Sequence, residues 1–131
     1  MRRISWFIIC FLLVFSIKAL SQAAGNAGDL KVEKIAAATS VENREPAGEG
    51  SEFEVAAGKI YCWTKISVQT PPATVKHVWY ANEKKVFEFS LELKHPSTRT
   101  WSVKTIKAGN WRVEVTDTGG KVLSQVAFIV K

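Results

Sequence analysis

The chain has 131 residues, 47% of them hydrophobic, and 18 Lys and Arg against 12 Asp and Glu give it a formal net charge of +6. That length suits one compact domain burying roughly two-thirds of its unfolded surface. Two cysteines cannot build a disulfide framework, and the cations form no Lys/Arg block.

Met1-Arg2-Arg3, the apolar run Ile4 to Ile17 and the small residues Ser21-Gln22-Ala23 follow the order of a secretory signal peptide cleaved near Ala23. The run is shorter than the about 20 apolar residues a bilayer span needs. A retained N-terminal membrane anchor is the competing reading. Removing residues 1–23 takes away Arg2, Arg3 and Lys18 and lowers the net charge to +3. The sequence thus predicts a periplasmic or secreted protein, with no stable membrane span after cleavage and no nucleic-acid partner. Cys10 leaves with the signal segment, so Cys62 stands alone between Tyr61 and Trp63 as a buried apolar thiol.

Residues 24–29 read as a flexible lead-in to a single domain over residues 30–131. Leu30 to Val41 fits an edge strand or a short helix equally well, because its alanines and lysines favour helix. Asn43-Arg44-Glu45-Pro46 and Gly48-Glu49-Gly50-Ser51 read as loop. From Gly58 onward the period is two. Ile60, Cys62, Thr64, Ile66 and Val68 share one strand face, and Pro71-Pro72 ends it. Val75-His77-Trp79 and Lys76-Val78-Tyr80 form the faces of the next strand, and a turn at Asn82-Glu83-Lys84 leads to Phe87, Phe89, Leu91 and Leu93 alternating with Glu88, Ser90 and Glu92. After His95-Pro96-Ser97-Thr98 come strands over Arg99 to Ile106, Trp111 to Thr116 and Lys121 to Val130. The last two are joined by a hairpin turn at Asp117-Thr118-Gly119-Gly120. The prediction is an all-β, antiparallel β-sandwich of immunoglobulin-like size with six to seven strands, preceded by the signal helix.

The stretches Leu30 to Pro46, Tyr61-Cys-Trp-Thr-Lys-Ile66, His77-Val-Trp-Tyr80, Arg99-Thr-Trp-Ser-Val-Lys104, Gly109-Asn-Trp-Arg-Val-Glu-Val115 and Gly120-Lys-Val-Leu123 resemble the bacterial domain-of-unknown-function family 2914 over nearly all of the mature chain. The resemblance implies an exported or membrane-attached all-β domain without an established activity or ligand. It also implies that His77, Trp79, Arg99, Trp101, Ser102, Lys104 and Trp111 are the recurring polar and aromatic set.

Charge is unevenly distributed. Residues 24–55 carry three basic against seven acidic residues, and residues 56–131 twelve against five. A basic half of this kind steers anionic partners, although scattered lysines on a solvated surface give the same count. Glycoside hydrolysis needs two carboxyl groups at roughly 5 to 9 Å. Glu88 and Glu92, four residues apart on one strand face, are about 13 Å apart. A serine triad would need His77 or His95 beside Ser102 and Asp117, and two histidines with one cysteine fall short of a metal site. Neither enzyme chemistry nor a cofactor or metal is predicted.

Aromatic rings beside fixed cations hold sugars and anionic groups, and they also fill small β cores. If Trp79, Trp101 and Trp111 point inward, Lys104, Arg112, Lys76 and Tyr80 form the solvent face. An exposed ring beside Arg99 or Lys104 instead makes a platform for a sugar ring. The candidate ligand-binding set is His77, Trp79, Tyr80, Arg99, Trp101, Ser102 and Lys104, and the predicted partner is a cell-envelope glycan or other anionic polymer. The alternative is an envelope protein docked through a strand edge or an aromatic patch. Arg44 and Glu45 either pair with the basic set and pin the N-terminal segment onto the sandwich or form an exposed turn, and the sequence leaves both readings open.

Overall fold

The computed structural model describes residues 29–131; the expected signal peptide and the lead-in up to residue 28 lie outside the described residues. Nine strands follow in order: β1 (Leu30–Glu42), β2 (Glu45–Glu49), β3 (Glu52–Phe53), β4 (Lys59–Val68), β5 (Ala73–Ala81), β6 (Lys84–Leu93), β7 (Ser97–Thr105), β8 (Gly109–Thr116) and β9 (Val122–Val130). They form a four-stranded sheet ordered β2-β1-β4-β7 and a five-stranded sheet ordered β3-β9-β8-β5-β6. A single 3-10 turn, Val55–Ala57, interrupts the strands. Among the described residues no helix is long and apolar enough to cross a membrane.

Leu30 to Val41 is strand: its Ala36, Ala37 and Ala38 pair with Trp63, Cys62 and Tyr61 of β4, and tertiary pairing overrides helix propensity. The predicted six to seven strands become nine because β2 lies in the stretch read as loop and β3 just after it, before the period of two begins at Gly58. Pro46 is tolerated in β2 because β2 is an edge strand. Gly48 has φ of +73°, and a Cβ there would lie 2.1 Å from the Thr39 hydroxyl oxygen, so only glycine fits. The sandwich is also not wholly antiparallel, since β3 pairs parallel to β9 through Glu52–Ile129 and Phe53–Val130.

The two sheets pack face to face. One core cluster joins Ala37, Ile60 and Cys62 of the four-stranded sheet to Trp79, Trp111, Val113 and Phe128 of the five-stranded sheet. Trp79 meets Trp111 and Phe128 edge-on with centroids 6.2 and 6.4 Å apart, while Trp111 and Phe128 stack. A second cluster contains Leu30, Ile66, Val68, Val75, Leu93 and Val115. Both sheets and both clusters lie within residues 29–131. Cys62 is fully buried in the first cluster, where desolvation pushes its thiol pKa up and keeps it protonated. By alternation Val122 would share a face with Val126, Phe128 and Val130, but a bulge at Val115/Thr116 turns it out, and Leu123 packs on the second cluster instead.

Candidate functional site

Strand pairing fixes where each candidate residue points. Ile60, Cys62 and Thr64 face the core from β4, and their partners on β7 are Lys104, Ser102 and Thr100. The inward row of β7 is therefore polar: Thr98, Thr100, Ser102 and Lys104. Its ring-bearing face, with Arg99, Trp101 and Val103, points outward. This inverts the pattern that would make Trp101 a core residue, and it separates the seven candidates into four locations.

His77, Trp79 and Ser102 meet inside the sandwich. The Trp79 indole N–H donates to Ser102 Oγ at 3.0 Å, and Ser102 Oγ lies 2.7 Å from His77 Nδ1. On the other side of the ring, Thr64 Oγ1 lies 3.3 Å from His77 Nε2, and Thr64 donates to the Thr100 carbonyl at 2.9 Å. The single hydroxyl proton of Thr64 is spent on that carbonyl, so its oxygen accepts from Nε2–H. Nδ1 is then the bare acceptor for the Ser102 hydroxyl. The chain of donors runs one way, from Trp79 through Ser102, His77 and Thr64 to the backbone of β7, and ties β5 to β4 and β7 across the core. His77 is fully buried, and desolvation lowers its pKa to about 4. The neutral ring is the form this network satisfies.

Although Ser102 and His77 are adjacent, Asp117 is elsewhere. Its carboxylate accepts the backbone N–H groups of Gly119 and Lys121, each at 2.9 Å, and so shapes the β8–β9 turn. Ser102 is 2% exposed, and its oxygen already accepts the Trp79 indole proton.

Tyr80 lies on the outer face of the five-stranded sheet. The Arg112 guanidinium sits over its ring at 4.1 Å and pairs with Glu83 and Glu114 at 3.2 and 3.4 Å. Beside it Glu88 bridges Lys76 and Lys85. Tyr80 also lines a shallow depression of about 420 Å³ with Arg112, Trp111 and Ile129. Lys104 occupies the seam between edge strands β7 and β6, its ammonium 5.7 Å from the Phe87 ring. The expected single surface of His77, Tyr80, Arg99 and Lys104 is thus not formed: His77 is internal, Tyr80 and Arg99 lie on opposite outer faces, and Lys104 lies at the seam.

Arg99 and Trp101 share the outer face of the four-stranded sheet, where Lys65 pairs with Arg99, Trp63 with Trp101 and Tyr61 with Val103. The β1–β2 hairpin covers part of this face. Ala38 pairs with Tyr61, so straight continuation of β1 would carry Arg44 about 20 Å past it. Instead the Trp63 indole donates to the Arg44 carbonyl at 3.0 Å, and Arg99 is ion-paired with Glu45. The hairpin therefore curls back over the sheet, turning tightly through Asn43 and Arg44, both at positive φ. The expected pairing with the basic set is realised by Glu45 on Arg99; Arg44 contributes its backbone carbonyl, to Trp63 rather than to a member of that set. Trp63, absent from the candidate set, is 1% exposed although it points away from the core. Its alternation with Cys62 gave the face but not the hairpin above it.

Trp101 remains half-buried. Of the four described tryptophans, Trp63, Trp79 and Trp111 bond their indole N–H groups to Arg44, Ser102 and Lys107; the Trp101 N–H has no protein partner among the described residues. The same outer face carries Arg99 and Lys65, with Lys59 5.8 Å from the Tyr61 ring centroid and Lys34, ion-paired with Glu49, over the Trp63 ring. Among the described residues no three His, Cys, Asp or Glu side chains converge as a metal site would require.

A family model described as protein of unknown function (DUF2914) matches residues 72–130, the segment that runs from the start of β5 to the end of β9. The match contains the motifs beginning at His77, Arg99, Gly109 and Gly120. The stretches Leu30 to Pro46 and Tyr61 to Ile66 fall outside it, so the matched part is shorter than the resemblance read from sequence. No curated protein matches the chain.

Proposed function

We propose that this chain, whose residues 72–130 match the DUF2914 family model, is a non-catalytic, extracytoplasmic binding module with an immunoglobulin-like sandwich. Its ligand face is the outer surface of the four-stranded sheet, centred on Trp101 with Tyr61, Lys65 and Arg99. The ligand class is an anionic cell-envelope glycan. The observation that carries this reading is the indole N–H of Trp101, without a protein partner among the described residues, on a strand that turns its ring-bearing face to solvent and its hydroxyls inward. An apolar ring with an available donor, flanked by ammonium and guanidinium groups, stacks on a sugar and attracts carboxylate or phosphate substituents.

The test is a set of binding isotherms with an anionic envelope polysaccharide at two ionic strengths. Trp101→Ala is expected to weaken binding about tenfold, the loss of one stacking contact, and Lys65→Ala to flatten the salt dependence. Tyr80→Ala, on the opposite sheet, leaves affinity unchanged. Equal affinity of the Trp101→Ala and parent proteins would refute the assignment.

A second reading, docking of a protein through a strand edge, is favoured by a different observation. The unpaired edge of β6 runs for ten residues and carries Val86 and Phe89, 41% and 38% exposed.

A further inference from the structure

β6 closes one side of the five-stranded sheet and has a neighbour, β5, on one side only. Phe87, Phe89 and Leu91 lie on its inward-facing side, opposite Trp79, His77 and Val75. Their β5 partners are buried, yet Phe89 stays open to solvent, its ring edge-on to Phe87 with centroids 5.4 Å apart. Strand and apolar row are both unfinished at this edge.

We propose that β6 pairs with β6 of a second copy of this chain, antiparallel across a two-fold axis centred on Phe89. The inference rests on the strand-edge reading and names its occupant. Side chains of paired strands must share a face, so few registers are open. Centring on Phe89 sets Phe89 against its own copy, Phe87 against Leu91 and Glu88 against Ser90. Shifting the axis one residue sets Glu88 against its own copy or against Glu92, and like charges directly opposite are unfavourable. The bulge at the N-terminal end of β6 completes the match. Against β5, the register passes from Trp79–Phe87 to Tyr80–Lys85, leaving Val86 as the extra residue. The same extra residue at the new interface brings Lys85 opposite Glu92 of the second copy, and Glu92 opposite its Lys85. Both lie on the outer side of the strand, opposite Tyr80 and Thr74. The edge is self-complementary in its apolar row and in its charges, as a two-fold interface requires. The bulge and Lys85, which deter indiscriminate edge pairing, are both accommodated in this register, where Lys85 meets Glu92 of the second copy beside its own Glu88.

Sedimentation equilibrium on residues 29–131 tests the proposal, with variants at exposed positions that leave the core intact. The parent is expected to dimerise reversibly with concentration and Phe89→Lys, which sets two ammonium groups on the axis, to be monomeric. Lys85→Glu weakens the dimer about tenfold, and adding Glu92→Lys restores it, because the opposite charges are exchanged rather than removed. A parent that stays monomeric up to about 1 mM, or a dimer indifferent to Phe89→Lys, overturns the proposal. A monomer whose β6 amide signals shift with an extended apolar peptide also overturns it while sparing the strand-edge reading; a monomer whose edge binds nothing removes both.

Discussion

Ser102 decides the polarity of the buried network, because it is the only group that can both accept from Trp79 and donate to His77. Ser102→Ala would leave a buried indole donor and a buried imidazole acceptor unsatisfied, and the expected cost is about 3 kcal/mol in urea unfolding. Ser102→Thr, which keeps the hydroxyl, should recover part of it. The His77 ring supplies the pH dependence. Its folded pKa of about 4 lies below the unfolded value of 6.5, so between these limits the unfolded chain binds the additional proton and stability falls as pH drops. The loss begins near pH 6.5, is complete near pH 4 and amounts to about 3 kcal/mol. Urea unfolding midpoints measured across that window check the slope. His77→Gln, whose amide can donate to Thr64 and accept from Ser102 without titrating, should flatten it.

At the scale of the element, the β1–β2 hairpin is held over the outer sheet face by one indole bond and one ion pair. An exposed ion pair contributes about 0 to 1 kcal/mol. Glu45→Ala should therefore change global stability by less than about 1 kcal/mol, while hydrogen exchange at the Trp63 indole accelerates as the hairpin opens. Unchanged exchange would show that packing alone holds the hairpin down. Gly48→Ala acts on the same element by a different route, forcing a Cβ into Thr39 at positive φ, and should destabilise by about 2 kcal/mol in thermal unfolding. The sequence shows β4, β5, β6 and β8 clearly because their apolar residues alternate with polar ones. It conceals β2 and β3, where Pro46, Gly48 and Gly50 look like punctuation and edge position removes the need for a donor at proline. On β7 alternation separates Trp101 from Ser102 but does not say which is inside. An edge strand facing His77 and Thr64 can turn hydroxyls inward, and that depends on its neighbours across the core. Residues far apart in sequence likewise produce the Trp63 cover, which no local pattern encodes.

Across the whole molecule, the fold joins the acidic first part of the chain to the basic remainder. Glu45 reaches Arg99, and Glu52 lies 3.1 Å from Lys131. The two outer faces end up chemically different. On the five-stranded sheet Lys76, Lys85 and Arg112 are held by carboxylates, and Arg112 covers the Tyr80 ring. On the four-stranded sheet Arg99 and Lys34 are held by Glu45 and Glu49, but among the described residues Lys65 and Lys59 have no carboxylate within ion-pair distance and the Trp101 N–H has no protein partner. The difference is why the ligand face is assigned to the smaller sheet, and it is read most directly from the indoles. In a two-dimensional NMR titration of residues 29–131 with anionic cell-envelope glycan fragments, four indole N–H signals report from four sites. The account predicts that the Trp101 signal moves while those of Trp79 and Trp111 stay fixed, and that the shift is lost at high salt. A Trp101 signal that does not move at saturating glycan would contradict it.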